Sequence, residues 1–304
     1  MRLLVTGSDT IAGQSILTAL KARGADCIGL DSGWPLQADA MTQLAELEPG
    51  LIINAHELSD IARCEQDPQL CQFHNEELVH RLSEYAGANQ VPLLQLSSCQ
   101  VFDGQKMSPY KASNQVNPIN RYGQSKWRAE RHLFDCLPYS IVLRLGWLIE
   151  HSADSVLGRL IQAKKNGTVA YFSDEHRGNP TAGEDVARVV VAMIQQVLCD
   201  AQVWGTYHYA GAEVVSRLAF ARSAAELFMD AREVTELVLC ATPEQVAQVP
   251  EPLNASLACI RIRNTFGIKQ RPWRHYLPDI IEQSVKPQLS AWGGASSSQL
   301  SVSS

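Results

Sequence analysis

The chain has 304 residues, 45% of them apolar and 19% charged, and a formal net charge of -6. That apolar share excludes disorder of the whole chain, and the acidic balance argues against a general nucleic-acid binder, which needs a basic face. No apolar run reaches the roughly 18 residues of a membrane helix, and the first glycine turn comes too early for a signal peptide, so the expected compartment is the cytoplasm.

The run from Arg2 to Thr6 ends in Gly7 and predicts a buried strand. A helix follows over 13–23, with Ile16, Leu17 and Leu20 at helical spacing and Gly24 closing it. Further apolar runs at 27–31, 51–55, 91–97 and 141–145 predict strands, with helical patterns at 68–86 and 125–134 between them. Strands alternating with helices predict a Rossmann-type, doubly wound parallel sheet of the α/β class, covered on both faces, over residues 1–150. Beyond 150 the pattern loosens: helices at 155–165, 184–198 and 216–229, strands at 205–210 and 234–240. The reading is a smaller C-terminal α/β substrate lobe made of 151–182 and 212–290, with 183–211 returning to the first domain. The Gly/Ser-rich tail, 291–304, has almost nothing to bury and is expected to be disordered.

The turn after the first strand reads Thr6-Gly7-Ser8-Asp9-Thr10-Ile11-Ala12-Gly13. Gly7 permits a tight turn and Gly13 close helix–strand packing, while the helix N-terminus, around Thr10 and Ile11, offers backbone N–H groups to a pyrophosphate. A glycine is usual at the middle position, and the Thr10 side chain is expected to narrow the approach to the phosphates. Asp31 ends the second strand, where a carboxylate accepts from a ribose diol and repels a 2′-phosphate. A nicotinamide dinucleotide, NAD(H) or NADP(H), is therefore expected, with Asp31 favouring NADH. The alternative is a strand–turn–helix without ligand and an aspartate that only caps its turn.

Tyr122-Gly-Gln-Ser-Lys126 places a phenol and an ammonium one helical turn apart. The ammonium is expected to lower the phenol pKa and to hold the nicotinamide ribose, leaving Tyr122 as general acid toward a carbonyl oxygen. Ser98 ends an apolar strand 24 residues before Tyr122 and supplies a second donor at the carboxyl end of the sheet. Such a pair is also a common surface-helix arrangement when it stands alone.

The order of glycine turn, acid, serine, tyrosine and lysine resembles the extended short-chain dehydrogenase/reductase superfamily. Asn54-Ala55-His56, Cys64-Glu65, Asn75, Ser97-Ser98-Cys99-Gln100-Val101-Phe102, Asn117-Pro118, Arg144-Leu145-Gly146-Trp147, Gly178-Asn179-Pro180-Thr181 and Gly205-Thr206-Tyr207-His208 narrow it. Together they resemble the dTDP-4-dehydrorhamnose reductase family over roughly residues 1–285. The resemblance implies reduction of a nucleotide-linked 4-keto-6-deoxy sugar, with Tyr122, Lys126 and Ser98 catalytic. It further implies a cofactor on Gly7, Thr10, Ile11, Gly13, Asp31, Asn54, Ala55 and Lys126, and a sugar against Cys99, Gln100 and Asn179. The family's Ser-Thr-Asp-Tyr-Val-Phe is here Ser-Ser-Cys-Gln-Val-Phe, its glutamate near 112 is Ala112, and its Arg-Pro of the second lobe is Glu251-Pro252.

Among the basic residues between Glu251 and Asp279, Arg261 is the candidate fork for a substrate diphosphate, against a solvated basic loop. Trp273 and Tyr276 are read as lobe packing, and His56 and His176 as structural. The eight cysteines contain no C-x-x-C; Cys64, Cys71 and His74 lack a second ligand pair, so no metal is expected and most thiols belong in the core. Expected partners are a nucleotide-sugar and a second copy in a homodimer, with no nucleic acid and no membrane. Two other functions share these residues: a non-catalytic nucleotide-binding or regulatory protein, as in the regulatory subunit of methionine adenosyltransferase, and an epimerase or dehydratase holding NAD tightly.

Overall fold

The computed structural model describes residues 1–246 and 249–289; the expected disordered tail, 291–304, lies outside the described residues. Six strands build the main sheet: β1 (Leu3–Thr6), β2 (Cys27–Leu30), β3 (Leu51–Asn54), β4 (Leu93–Ser98), β5 (Ser140–Leu145) and β6 (Gly205–Tyr209). All neighbours are parallel, in the order β2-β1-β3-β4-β5-β6. Parallel strands need helical crossovers, which cover both faces and turn each strand into a nearly continuous apolar run.

Alternate side chains of each strand feed two cores. Val5, Ile53, Leu96 and Leu143 meet Ile16 of helix α1 (Ile11–Lys21) and Val186, Val189 and Val190 of a helix over Gly183–Leu198. Leu4, Ile52, Leu93 and Val142 meet Leu78, Leu82 and Leu133 on the other side. The chain leaves β1 toward β2 on one side and returns to β3 on the other, which opens a crevice at the carboxyl ends of β1 and β3.

The helical pattern at 68–86 is broken into Pro68–Gln72, a wide π turn at Phe73–Glu77, and Leu78–Asn89. The wide turn buries Asn75, whose amide reaches back to the loop after β3. The expected strand at 234–240 is corrected: a capping box of Asp230 and Glu233 starts a helix over Ala231–Leu237, and only Val238–Cys240 is a strand.

A third core lies beyond the main sheet, with Leu157, Leu160, Phe172, Phe220, Val238, Trp273 and Ile281. The stretch expected in the lobe over 212–290 also reaches back to the main sheet. Ala255, Leu257, Ile262, Phe266 and Ile268 pack into the main core, because the short helix Ile260–Phe266 lies against β6. All eight cysteines are free, but only Cys64, Cys71, Cys99 and Cys259 are buried; Cys136, Cys199 and Cys240 sit exposed at element ends, contrary to the expectation for most of them.

Candidate active site

The first wall of the crevice is backbone. Gly7 has φ +64, and a Cβ there would stand 2.5 Å from the His56 Cα, so no other residue fits without moving β3's loop. A Cβ on Gly13 would stand 2.0 Å from the Gly7 carbonyl oxygen. Thr10 is the N-cap of α1: its hydroxyl accepts from the Gly13 N–H at 3.1 Å and lies 2.8 Å from the Gly7 carbonyl oxygen. The hydroxyl is therefore folded into the turn. The N–H groups of Ile11 and Ala12 begin the helix and have no intrahelical acceptor, so the turn keeps the donor set a pyrophosphate needs. The Ile11 side chain itself packs on Gly183.

Asp31 makes a turn: its Oδ1 accepts from the N–H groups of Gly33 and Trp34 at 3.0 and 3.1 Å. It remains exposed at the end of β2, so the capping role stands alongside the expected ribose contact. Asp9, unremarked in the sequence, ties the same loop by accepting from Ser32 N–H and Oγ–H, both at 2.8 Å. Asn54, expected at the cofactor, has its side-chain amide engaged inside the fold. It is fully buried, accepts from Thr6 Oγ and the His56 N–H, and donates to Gln95 Oε1 at 2.7 Å. Ala55 is buried just after β3, its N–H donating to the Thr6 carbonyl at 3.1 Å.

The second wall is side chain. Helix α2 (Arg121–Cys136) starts at Asn120, whose Oδ1 accepts from the Gly123 N–H at 2.8 Å. Gly123 lets the helix press on the loop after β4; a Cβ there would stand 2.1 Å from the Gln100 carbonyl oxygen. One turn deeper than Lys126, Glu130 accepts from Ser97 Oγ and, bidentately, from Arg144, all buried, and this fixes α2 against β4 and β5.

Tyr122 and Lys126 thus face the crevice one helical turn apart, both almost wholly buried. Ser98, at the end of β4, accepts from the Gln100 N–H at 3.2 Å, and its hydroxyl lies near enough to Tyr122 to oppose the rise in the phenol pKa. The three expected catalytic residues are brought together. A fourth, missed from the sequence, stands among them: Glu57 Oε2 accepts from the Tyr122 phenol at 2.8 Å and from Lys126 Nζ at 2.9 Å. Burial first, and then the charge of Glu57 with its hydrogen bond, push the phenol pKa well above its ordinary value. The expected lowering by Lys126 is thereby corrected, because the ammonium is neutralised by the carboxylate it shares with the phenol. Glu150 lies close by, its carboxyl pushed up to about 7 by burial and by Glu57.

Farther out, Gln100 is buried and donates to Glu251 Oε2 at 3.1 Å, while Arg217 grips Glu251 with two bonds of 3.0 and 2.6 Å and lies 5.2 Å above the Trp147 ring. Burial alone raises the Glu251 carboxyl, but the Arg217 guanidinium overrides it and holds it below the usual range. Arg217 was missed; the signal was Glu251 itself, an acid in place of a base, which needs a cation when buried. Cys99 is buried beside this pair and its thiol is pushed up to about 12 by desolvation. His176 is buried too, with Nδ1 unpartnered, and burial followed by Arg217 lowers its pKa.

Two residues expected at the substrate have their side chains engaged elsewhere. Asn179 spends its amide on the Gly211 and Glu213 carbonyls and accepts from the Leu257 N–H, so it staples the lobe. Arg261 donates to the carbonyls of Thr206 and Trp204 and covers the Tyr207 ring, at the start of β6, the end of the sheet opposite the crevice. Cys64 and Cys71 sit with Asn75 behind Tyr122, and His74 turns to His56, ring nitrogens 2.8 Å apart. Among the described residues no cluster of histidine, cysteine or acid has the arrangement of a metal site, and no helix is long and apolar enough to cross a membrane.

The family model described as "RmlD substrate binding domain" matches residues 1–286. A dTDP-4-dehydrorhamnose reductase of Aggregatibacter actinomycetemcomitans is 27% identical over 291 residues, 92% of this chain and 98% of that protein. The methionine adenosyltransferase 2 subunit beta of Danio rerio is 26% identical over 305 residues, 92% of this chain and 90% of that protein. The crystal structure of a dTDP-4-dehydrorhamnose reductase from Bacillus anthracis in complex with NADP superposes with a TM-score of 0.77 at 20% identity, covering 93% of this chain and 98% of that one.

Proposed function

The chain belongs to the RmlD substrate binding domain family, and from that membership we propose that it is an NAD(P)H-dependent reductase of a nucleotide-linked 4-keto-6-deoxy sugar, of the dTDP-4-dehydrorhamnose reductase kind. The observation that carries this reading is the convergence of Tyr122, Lys126 and Ser98 at the carboxyl ends of β3 and β4, beside the glycine turn. Gly7, Ile11, Ala12 and Gly13 hold the pyrophosphate of the dinucleotide, Asp31 takes the adenosine ribose, and Lys126 the nicotinamide ribose. The cofactor supplies hydride. Tyr122 donates its phenolic proton to the carbonyl oxygen as that oxygen gains charge, and Ser98 supplies the second hydrogen bond. Two exposed acids, Asp9 and Asp31, border the adenosine end and favour NADH over NADPH, because both repel a 2′-phosphate.

Sugar selection falls to the groups around the Arg217–Glu251 pair: Cys99, Gln100, Trp147 and His176. Arg217 replaces Arg261 and Asn179 as the candidate contact to substrate, since it is held in the cleft by a single acid rather than by backbone carbonyls.

The test is a ranked series with NADH and a dTDP-4-keto-6-deoxyhexose. Tyr122→Phe is expected to lower kcat by about 10²–10⁴ while cofactor affinity stays within about threefold, because the proton is needed only in the transition state. Lys126→Met damages both binding and turnover, and Ser98→Ala costs least. Equal turnover of Tyr122→Phe and the parent overturns the assignment. A second reading, a nucleotide-binding regulatory protein, draws support from the carboxylate that ties up both Tyr122 and Lys126; cofactor binding without reduction of any such sugar would favour it.

A further inference from the structure

Glu57 satisfies the two donors on which the proposed chemistry depends. Its carboxylate oxygen receives the Tyr122 O–H and the Lys126 N–H together, with the lysine side chain 2% exposed and the glutamate 18%. A buried ammonium needs an acceptor, and here the Glu57 carboxylate supplies it, so a ribose hydroxyl seeking Lys126 would have to compete with an anion already bonded to it.

The position is built. The backbone on either side of Glu57 is pinned: the His56 N–H donates to Asn54 Oδ1 at 3.2 Å, and Leu58 exchanges two hydrogen bonds with the Asn75 amide at 2.8 and 3.1 Å. Asn54 is locked by Thr6 and Gln95, and Asn75 belongs to the wide turn at Phe73–Glu77. The loop cannot carry Glu57 away without breaking these bonds. The side chain can leave only by rotating about its own bonds, away from Lys126 and from the phenol.

We propose that Glu57 is a specificity-determining residue that occupies the nicotinamide-ribose subsite, so that a dinucleotide docks fully only by displacing its carboxylate from Lys126 and Tyr122. The proposal rests on the reading of these two residues as the cofactor-and-substrate pair. Its consequence is a handicap confined to one half of the ligand. The adenosine and diphosphate half meets the glycine turn without hindrance, whereas the second ribose must compete with an internal anion. The same displacement frees the Tyr122 proton for a substrate oxygen, so docking of the second ribose and readiness of the acid are one event.

The experiment measures affinity by calorimetry for NADH, NADPH and ADP on the parent, Glu57→Ala and Glu57→Gln. ADP is the probe that lacks the second ribose. Glu57→Ala is expected to tighten dinucleotide binding by roughly tenfold or more, Glu57→Gln by less, because its amide oxygen still accepts, and neither changes ADP affinity beyond about twofold. The thermal midpoint of ligand-free Glu57→Ala should fall at the same time, since Lys126 loses its acceptor; a residue that merely supports the fold would weaken both measurements together. Dinucleotide affinity unchanged or reduced in both variants overturns the proposal. ADP binding without dinucleotide binding in all three proteins overturns it while sparing the glycine-turn reading, and binding of neither ligand by any of them overturns that reading and the proposal with it.

Discussion

The two walls of the crevice are made of different materials. The glycine-turn wall is backbone: Gly7, Gly13 and the first N–H groups of α1, with one threonine hydroxyl folded inward as a cap. The Tyr–Lys wall is side chain, and it is crowded with charge: Lys126 and Glu57, then Glu150, then the Arg217–Glu251 pair. A backbone site survives substitution of its neighbours because its donors are fixed by helix geometry. A side-chain site answers to every neighbour within hydrogen-bonding reach. The family pattern persists in the first wall despite Thr10, while in the second the same Tyr122 and Lys126 stand in changed surroundings.

The contrast can be broken at the charge pair first. Glu251→Ala leaves the half-buried Arg217 without its acid and is expected to cost about 1–3 kcal/mol in chemical denaturation. The double change Arg217→Met with Glu251→Leu removes both charges and should recover most of that loss. A single variant as stable as the parent would mean that the pair is solvated and that the second wall is less charge-bound than the geometry states. In the first wall the matching change is Gly13→Ala, whose Cβ meets the Gly7 carbonyl at 2.0 Å. It should cost about 1–3 kcal/mol and displace the turn, so ADP affinity falls with stability. A fully stable variant that binds ADP normally would show that the turn is looser than described.

pH sharpens the comparison further. Glu150 holds its proton up to about 7 in the folded chain and releases it near the ordinary carboxylate range when unfolded. Between roughly pH 4.5 and 7 the folded state therefore binds the extra proton, and stability falls as pH rises through that window. Glu150→Gln should remove the loss, a gain on the order of 1–3 kcal/mol at pH 8 and little at pH 5. Buried histidines act in the opposite direction. His56 and His208, lowered by burial to about 4 and about 3, stay neutral in the fold, so their contribution is present above pH 6.5 and lost as pH falls toward those values. The smallest effect belongs to the exposed rim: Asp31→Ala should narrow the preference for NADH over NADPH by about two- to fivefold, read from the two dissociation constants.

Much of this was legible in the residues. Five strands of the sheet announced themselves as short apolar runs, because a strand covered on both faces has no polar side to show. Gly7, Gly13, Tyr122, Lys126 and Ser98 stood out because the proposed chemistry needs a residue type at a local spacing. Glu57 was not, since its role depends on the wide turn that carries Asn75, and no spacing reports that turn. Arg261 was misplaced for a related reason. A basic residue in a loop can serve either end of a sheet, and only the packing of Ile260–Phe266 on β6 sends it to the end away from the crevice. Asn54 and Asn179 were taken as ligands from the family resemblance, which carries a residue's position but not the partners its side chain finds in this fold.

The most direct measurement follows the hydride. Incubation of the parent protein with NADH carrying deuterium at the transferable position and a dTDP-4-keto-6-deoxyhexose, with mass analysis of the nucleotide-sugar, reads the reaction at the carbon where it occurs. A reductase working through Tyr122 gives a product carrying one deuterium at C4 with the parent and little or none with Tyr122→Phe over the same time. A parent that binds NADH yet leaves the keto-sugar unreduced and unlabelled would contradict the account.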